Sequence, residues 1–468
     1  MKIFNRHKTI NIALALAMIM TMGSCKKALF EEPFEYLSPE AAFESPERIE
    51  KAAIGMYDQL QNAEFFGGRA LVYVDQRGAD VNPATFFGDI ALFTPVTASN
   101  AFAASNYQGA YRTIGETNLF LKNMTKAGSI VDPAKAAQYT GEAKFIRSLC
   151  YFYLVNLYGQ PYKFTAGATH LGVPLVLSSA DVPFAESNML PRATVGEIYN
   201  QMETDLKAAE AALPVGYNDA AVQNVARSTK GAAQALLARL YLYKGDYPNA
   251  LLYANKVDPV KYKLNADPAT TFRAYNTAES IFSVAMNGGD NPNTNHALGQ
   301  HYSPSKRGDI TVATNYIALM DQTKDLRFKN LIISQGGNFW TTKYTSVIDW
   351  VPVLRYAEIM LIKAEALANI ATGVDATALA LVNELRARSL ADPITATDKA
   401  DLIAKILIER RIELAFEGQG EFDFIRTGRN IPAHATVKEQ VYGSDYIVFP
   451  IPFRETQINK NLVQNKGY

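Results

Sequence analysis

Residues 230–257 read KGAAQALLARLYLYKGDYPNALLYANKV, and this stretch decides the architecture. Ala232, Ala235, Leu236, Arg239, Leu240 and Tyr243 recur at three- and four-residue steps, the period of one helix face. Gly245-Asp246-Tyr247 interrupts the run, and Ala250, Leu251 and Ala254 restart it, so two helices should fold back on one another. Alanines at the crossing points allow a close approach. Residues 356–389 repeat the plan with Ala364, Ala368, Gly373, Ala380 and Leu381. One such hairpin cannot bury its own apolar face, so several in one chain imply a stack.

The same periodicity extends in both directions. It predicts helices over 45–62, 107–125, 133–158, 195–213, 228–244, 247–256, 356–371, 376–389 and 402–417. Asp132-Pro133 and Arg192-Ala193-Thr194 are start signals, and Gly159, Gly245 and Gly373 are stops. Short glycine joints and small crossing residues resemble tetratricopeptide units. The expected fold class is mainly α: a tetratricopeptide-containing helical scaffold with long irregular ligand-binding loops. Two regions, about 65–106 and 285–353, break the pattern and are rich in Gly, Asn, Asp, Pro, Thr and aromatics. Insertions of that length on a rigid scaffold commonly carry a binding site.

The N-terminus reads as an export signal. Lys2, Arg6 and Lys8 precede an uncharged run from Thr9 to Met22, then Gly23-Ser24-Cys25. A cysteine in that position resembles a bacterial lipobox, so Cys25 is expected to be acylated and to become the new N-terminus. The run is shorter than the roughly 20 residues a bilayer span needs. The expected organisation is a signal peptide over 1–24, a lipidated tether over 25–44 and one α-rich domain over 45–468. Beyond residue 24, 43 Lys+Arg face 46 Asp+Glu with no basic stripe, which excludes a nucleic-acid partner on electrostatic grounds. Cys150 sits among Ile146, Leu149, Tyr153 and Leu157 and reads as core.

Catalytic signatures are scarce. Glu409, Glu413 and Glu417 repeat at one helical turn, and paired carboxylates can cleave a glycoside. Arg410, Arg411 and Arg426 are close in sequence, so charge pairing explains the ladder without catalysis. No His-Glu-x-x-His, Gly-x-Ser-x-Gly or phosphate-binding glycine loop occurs. The Asp290–Asn295 stretch near His296 and His301 is oxygen-rich but lacks the glycine and terminal glutamate of an EF-hand, and reads as a polar turn. The chain is therefore expected not to be an enzyme, with no cofactor and no metal. Sugar rings stack on aromatic planes while polar side chains bind their hydroxyls. Trp340, in Gly-Gly-Asn-Phe-Trp-Thr-Thr, is the expected platform, and Trp350 is assigned to the core. Asp75, Arg77, Asp80, Asn82, Phe86 and Phe87 from the first region, with Tyr302 and Tyr344 from the second, complete the candidate ligand site.

Four blocks carry a family resemblance. The first is GEAKFIR at 141–147, running into YFYLVNLYG at 151–159 and LGVPLV at 171–176. The second is RATVGEIY at 192–199, followed by KGAA at 230–233. The third joins LRYAE at 354–358, KAEA at 363–366, NELRAR at 383–388, IERRIELAFEG at 408–418 and FDFIR at 422–426. The fourth is FPIP at 449–452 with QNKGY at 464–468. In this order the chain resembles the SusD/RagB-like outer-membrane nutrient-binding lipoproteins. The resemblance implies a lipid anchor in the outer membrane, facing outward, and a SusC-like TonB-dependent β-barrel transporter as partner. It implies an oligosaccharide ligand held by the two loop regions, with a peptide as the alternative. Relatives that face outward carry acidic residues soon after the lipidated cysteine, whereas Lys26-Lys27-Ala28-Leu29-Phe30 precedes Glu31 here. A surface glycoside hydrolase and a ligand-free adaptor are the remaining readings.

Overall fold

The computed structural model describes residues 41–468 apart from 95–96, 181, 183–184 and 218–221. The expected signal peptide, Cys25 and most of the tether lie outside the described residues. Helices dominate: α1 (Pro46–Leu60), α2 (Arg69–Gln76), α3 (Ala101–Ala127), α4 (Pro133–Tyr158) and α5 (Val195–Ala212). They continue with α6 (Lys230–Lys244), α7 (Tyr247–Lys256), α8 (Tyr356–Ile370), α9 (Ala376–Arg388), α10 (Lys399–Leu414), α11 (Gly420–Arg426) and α12 (Phe453–Ile458). Their starts are capped as side-chain chemistry requires. Asp132 accepts from the Ala134 N–H at 2.8 Å, and Thr194 with Glu197 closes a capping box. Between α6 and α7, Gly245 sits at φ +71°, and Asp246 accepts from the Asn249 N–H at 3.2 Å.

The helices stack in sequence. α4 packs on α5, α5 on α6, α6 on α7, α7 on α8, and α8 on both α9 and α10. Across the α6–α7 hairpin Tyr241 and Tyr253 lie parallel, with ring centroids 5.3 Å apart. Buried ion pairs key neighbouring helices together. Arg147 grips Asp205 across α4 and α5, Arg239 grips Glu358 across α6 and α8, and Arg426 grips Glu365 across α11 and α8. Such pairs cost desolvation but fix register, because a shifted helix would strand a charge. Cys150 is fully buried, as expected.

Three two-stranded antiparallel sheets complete the fold: β1 (Leu171–Pro174) with β2 (Arg192–Thr194), β3 (Ser280–Val284) with β6 (Val351–Arg355), and β4 (Ile332–Gln335) with β5 (Asn338–Thr341). Gly336 and Gly337 turn the β4–β5 hairpin, both at positive φ, the backbone of a two-residue hairpin turn.

The two long regions are more regular than the sequence suggests. The first holds α2, every residue of which is buried, and α3 starts at Ala101, six residues before the expected 107. The second contains short helices at Leu298–Tyr302, Thr314–Ile317 and Leu326–Leu331 besides its strands. At the other end, α10 stops at Leu414, short of 417, because Phe416 and Gly418 turn at positive φ. Gly418 lies so close to α2 that a Cβ there would sit 2.8 Å from Leu71 Cγ.

Candidate functional site

The two long regions meet through their backbones. Val81 bridges Val312, and Val312 bridges Phe339 of β5. The Asn82 N–H donates to Thr311 O at 2.9 Å, the Ala313 N–H to Asp80 O at 2.9 Å, and the Val312 N–H to Phe339 O at 2.7 Å. Residues 80–82 therefore lie against 311–313, which lie against the hairpin that carries Trp340.

Two aromatic side chains flank the Arg307–Gly308 segment at this junction. Phe86, on a short turn over Thr85–Phe87, is 43% exposed. The Arg307 guanidinium stands 4.4 Å from its ring centroid, and the Arg69 guanidinium stands 5.2 Å away. Trp340 is half-buried and donates its indole N–H to Gly308 O at 3.2 Å. Gly308 has φ +57°, and a Cβ there would lie 3.2 Å from the indole nitrogen, so glycine permits this seating. Arg307 is itself fixed, with Nε donating to Asp309 at 2.7 Å. Exposed Ser305 and Lys306 lie beside it. Aromatic planes next to fixed donors and a carboxylate suit a ligand with apolar faces and many hydroxyls.

Six of the expected contacts are corrected by burial. Asp75, Arg77, Asp80, Phe87, Tyr302 and Tyr344 are all buried, 4% exposed or less, and offer almost no surface to a ligand. Their polar groups are used inside the protein. Tyr302 donates its hydroxyl to Asp75 at 2.6 Å, and the Gly418 N–H donates to the same carboxylate at 3.1 Å. Burial pushes the Asp75 carboxyl up to about 8, so it sits protonated at neutral pH. Arg77 pairs with Glu421 at 2.8 Å and lies between the rings of Phe93 and Phe449. Asp80 pairs with Arg411, and Tyr344 donates to Phe416 O at 2.9 Å. Phe87 packs edge-on against Tyr73 and Phe86. Asn82 is half-buried and donates to Thr311 Oγ1 at 2.8 Å, a clasp between the two regions.

The sequence reading missed Arg307. Its setting, Ser303-Pro304-Ser305-Lys306-Arg307-Gly308-Asp309, carries turn residues flanking a cation and an anion. That pattern marks a structured polar loop. Trp350 lies on Tyr275, with rings 5.1 Å apart and nearly parallel, and donates to Met286 O at 2.8 Å.

The glutamate ladder is sealed in a charge network. Arg327 meets Glu409 at 2.5 Å and Glu413 at 3.1 Å. Arg355 meets Glu279, Glu413 and Glu417 at 2.7 Å each, and Lys343 meets Glu417 at 2.6 Å. Burial alone would raise the Glu413 pKa, but Arg388, Arg355 and Arg327 hold it well below the ordinary carboxylate range. A permanently charged, buried glutamate has neither the proton nor the access that glycoside cleavage requires. In the Asn287–Asn295 loop the amides serve the loop itself: Asn287 Oδ1 accepts from the Gly289 and Asp290 N–H groups, and Asn293 Oδ1 from that of Asn295.

Comparison with known proteins places the chain in a family. Residues 31–242 match a SusD-like family model described as starch-binding associating with outer membrane, and residues 334–468 match the SusD family model. The chain is 25% identical to SusD-like protein P2 of Formosa agariphila over 97% of its own length and 98% of that protein. A crystal structure of a SusD superfamily protein from Bacteroides fragilis superposes with TM-score 0.80 at 28% identity, covering 90% of this chain and 99% of that one. A laminarin-binding SusD-like protein superposes with TM-score 0.70 at 22% identity, covering 91% and 100%. With helix order, blocks and fold in agreement along the chain, it belongs to the SusD/RagB-like family.

Proposed function

We propose that this chain is a cell-surface lipoprotein that binds glycans without cleaving them and passes them to a SusC-like TonB-dependent barrel in the outer membrane. The family's association with the outer membrane and with starch supports the location and the ligand class. The single observation that carries the reading is the surface where Phe86 and Trp340 flank Arg307–Gly308. It combines two accessible aromatic groups with hydrogen-bonding side chains on rigidly paired backbone. The laminarin-binding relative uses the same fold, which favours a polysaccharide over a peptide. Cys25 supplies the lipid anchor, and the barrel receives the ligand from above.

Isothermal titration of the purified protein with a glycan panel that includes laminarin, and with a peptide panel, tests this. Heat from at least one glycan, reduced by substitution at Trp340, is the expected result. A response to peptides alone would replace the glycan reading with peptide uptake. Release of reducing sugar by the purified protein would overturn binding without cleavage.

A further inference from the structure

A cavity of about 500 Å³ opens beside α3. Phe102 packs on Phe86 of the aromatic surface with ring centroids 5.5 Å apart. Tyr111 follows it by nine residues, on a helix about half a turn round and about 13 Å along, so the cavity lies on the other side of α3. Tyr107 and Tyr111 form one wall, with ring centroids 4.6 Å apart. Glu455 and Ile458 of α12 form another, and Met189 and Leu190 a third.

The walls are tied to one another by side-chain hydrogen bonds. Tyr111 donates to Pro174 O at 2.6 Å, Asn459 to Leu190 O at 2.7 Å, and Asn461 to Met189 O at 2.7 Å. The Phe453 N–H ties α12 to Ala98 O at 2.8 Å, just ahead of α3. The cavity is thus held open by four independent segments, and its size falls within the few hundred Å³ typical of small-molecule sites.

Glu455 is the anomaly. Glu142, Glu358, Glu365 and Glu413 are buried and each meets an arginine. The half-buried Glu455 lines the cavity together with Tyr107 and Tyr111. Its side chain makes no hydrogen bond or ion pair among the described residues, and the neighbouring Arg454 attracts it only through space. An ionised carboxylate only accepts hydrogen bonds, and this one is free to accept them from a molecule in the cavity. Gln108, Arg112 and Arg454 line the same cavity, and their side chains also make no hydrogen bond or ion pair among the described residues.

We propose that this cavity is a second ligand site, taking a neutral sugar of one or two rings. Glu455 accepts hydrogen bonds from neighbouring hydroxyls, Gln108 and Arg112 donate to others, and Tyr111 with Ile458 receives the apolar face. A neutral ligand fits because Glu455 repels an anion while Arg112 and Arg454 repel a cation. The site stands apart from the Phe86–Trp340 surface, so either can fail without the other.

Crystals of the protein are soaked in turn with maltose, cellobiose and laminaribiose, and the same sugars are titrated calorimetrically into the protein and two variants. The expected result is sugar density in the cavity with a hydroxyl on Glu455. Glu455→Gln should raise Kd about tenfold, the scale of one hydrogen bond to a charged group. Ile458→Trp, which fills the space from an exposed position, should abolish this binding. An empty cavity with all three sugars, density without measurable heat, or an unchanged Kd in Glu455→Gln overturns the proposal.

Discussion

Arg307 holds its guanidinium 4.4 Å from the centre of the Phe86 ring while its Nε donates to Asp309 at 2.7 Å. The arginine is anchored at one end of its fork and lies on an aromatic face. It therefore presents a fixed donor to a ligand bound at Phe86. Arg307→Ala should weaken glycan binding by about 1.5–3 kcal/mol, the scale of a hydrogen bond to a charged group. Arg307→Lys keeps the charge but loses the planar fork, and should fall between the two. Titration calorimetry gives the ranking, and equal affinities for all three proteins would remove Arg307 from the site.

Trp340 and Tyr302 should respond in opposite ways. Trp340 is accessible, so Trp340→Ala should lower affinity by about 1–3 kcal/mol while the fold persists. Tyr302 is fully buried with its hydroxyl on Asp75. Tyr302→Phe leaves that carboxyl short of a partner and should cost about 1–3 kcal/mol of stability with affinity unchanged. Thermal melting and calorimetry on the two variants check the crossover.

The helical stack was legible because period and caps agree: α4 and α7 match their expected bounds residue for residue. Of the expected site residues, Phe86, Trp340 and the half-buried clasp Asn82 keep accessible surface in the fold. α2 misled because RALVYVDQ mixes charge with apolar residues, which normally signals a solvated face. In the fold Arg69, Asp75 and Arg77 find partners at Asn295, Gly418 and Glu421, hundreds of residues away. Local patterns carry no record of such long-range partners. The meeting of residues 80–82 with 311–313 is likewise a tertiary pairing that no periodicity encodes.

Anchoring should depend on one thiol. If Cys25 carries the acyl chains, each buried methylene adds about 0.8 kcal/mol of membrane affinity, and nothing else described replaces it. Among the described residues no helix is long and apolar enough to cross a membrane. Cys25→Ala should therefore move the protein from the membrane to the soluble fraction with ligand affinity intact. Fractionation after a salt wash, followed by titration of the released protein, checks both halves.

Glu413 should prove structural. It meets Arg327, Arg355 and Arg388 at once, all buried. Glu413→Gln leaves three guanidinium groups short of one charge, and breaking a buried pair costs about 3–5 kcal/mol. Chemical denaturation should show that loss, while the folded fraction binds ligand as before. Wild-type stability in the variant would mean that the network is not a keystone of the fold.

Stability should vary with pH in two separate windows. Asp75 and Glu421 are raised, mainly by burial, to about 8 and about 7. A raised carboxyl favours the fold fully below the ordinary carboxylate range, and that contribution is lost as pH climbs through the folded value. The fold should therefore weaken progressively between about pH 4 and pH 8. Asp423 behaves oppositely. Burial would lift it, but Arg410 and Arg426 hold it down to about 2, so its contribution is present at neutral pH and lost on acidification toward that value. Asp75→Asn supplies a neutral amide that can still accept from the Gly418 N–H. It should flatten the decline on the alkaline side and leave the acid limb in place. Urea midpoints measured across pH for both proteins separate the two limbs, and an unchanged alkaline slope in the variant would show that Asp75 is not the group responsible.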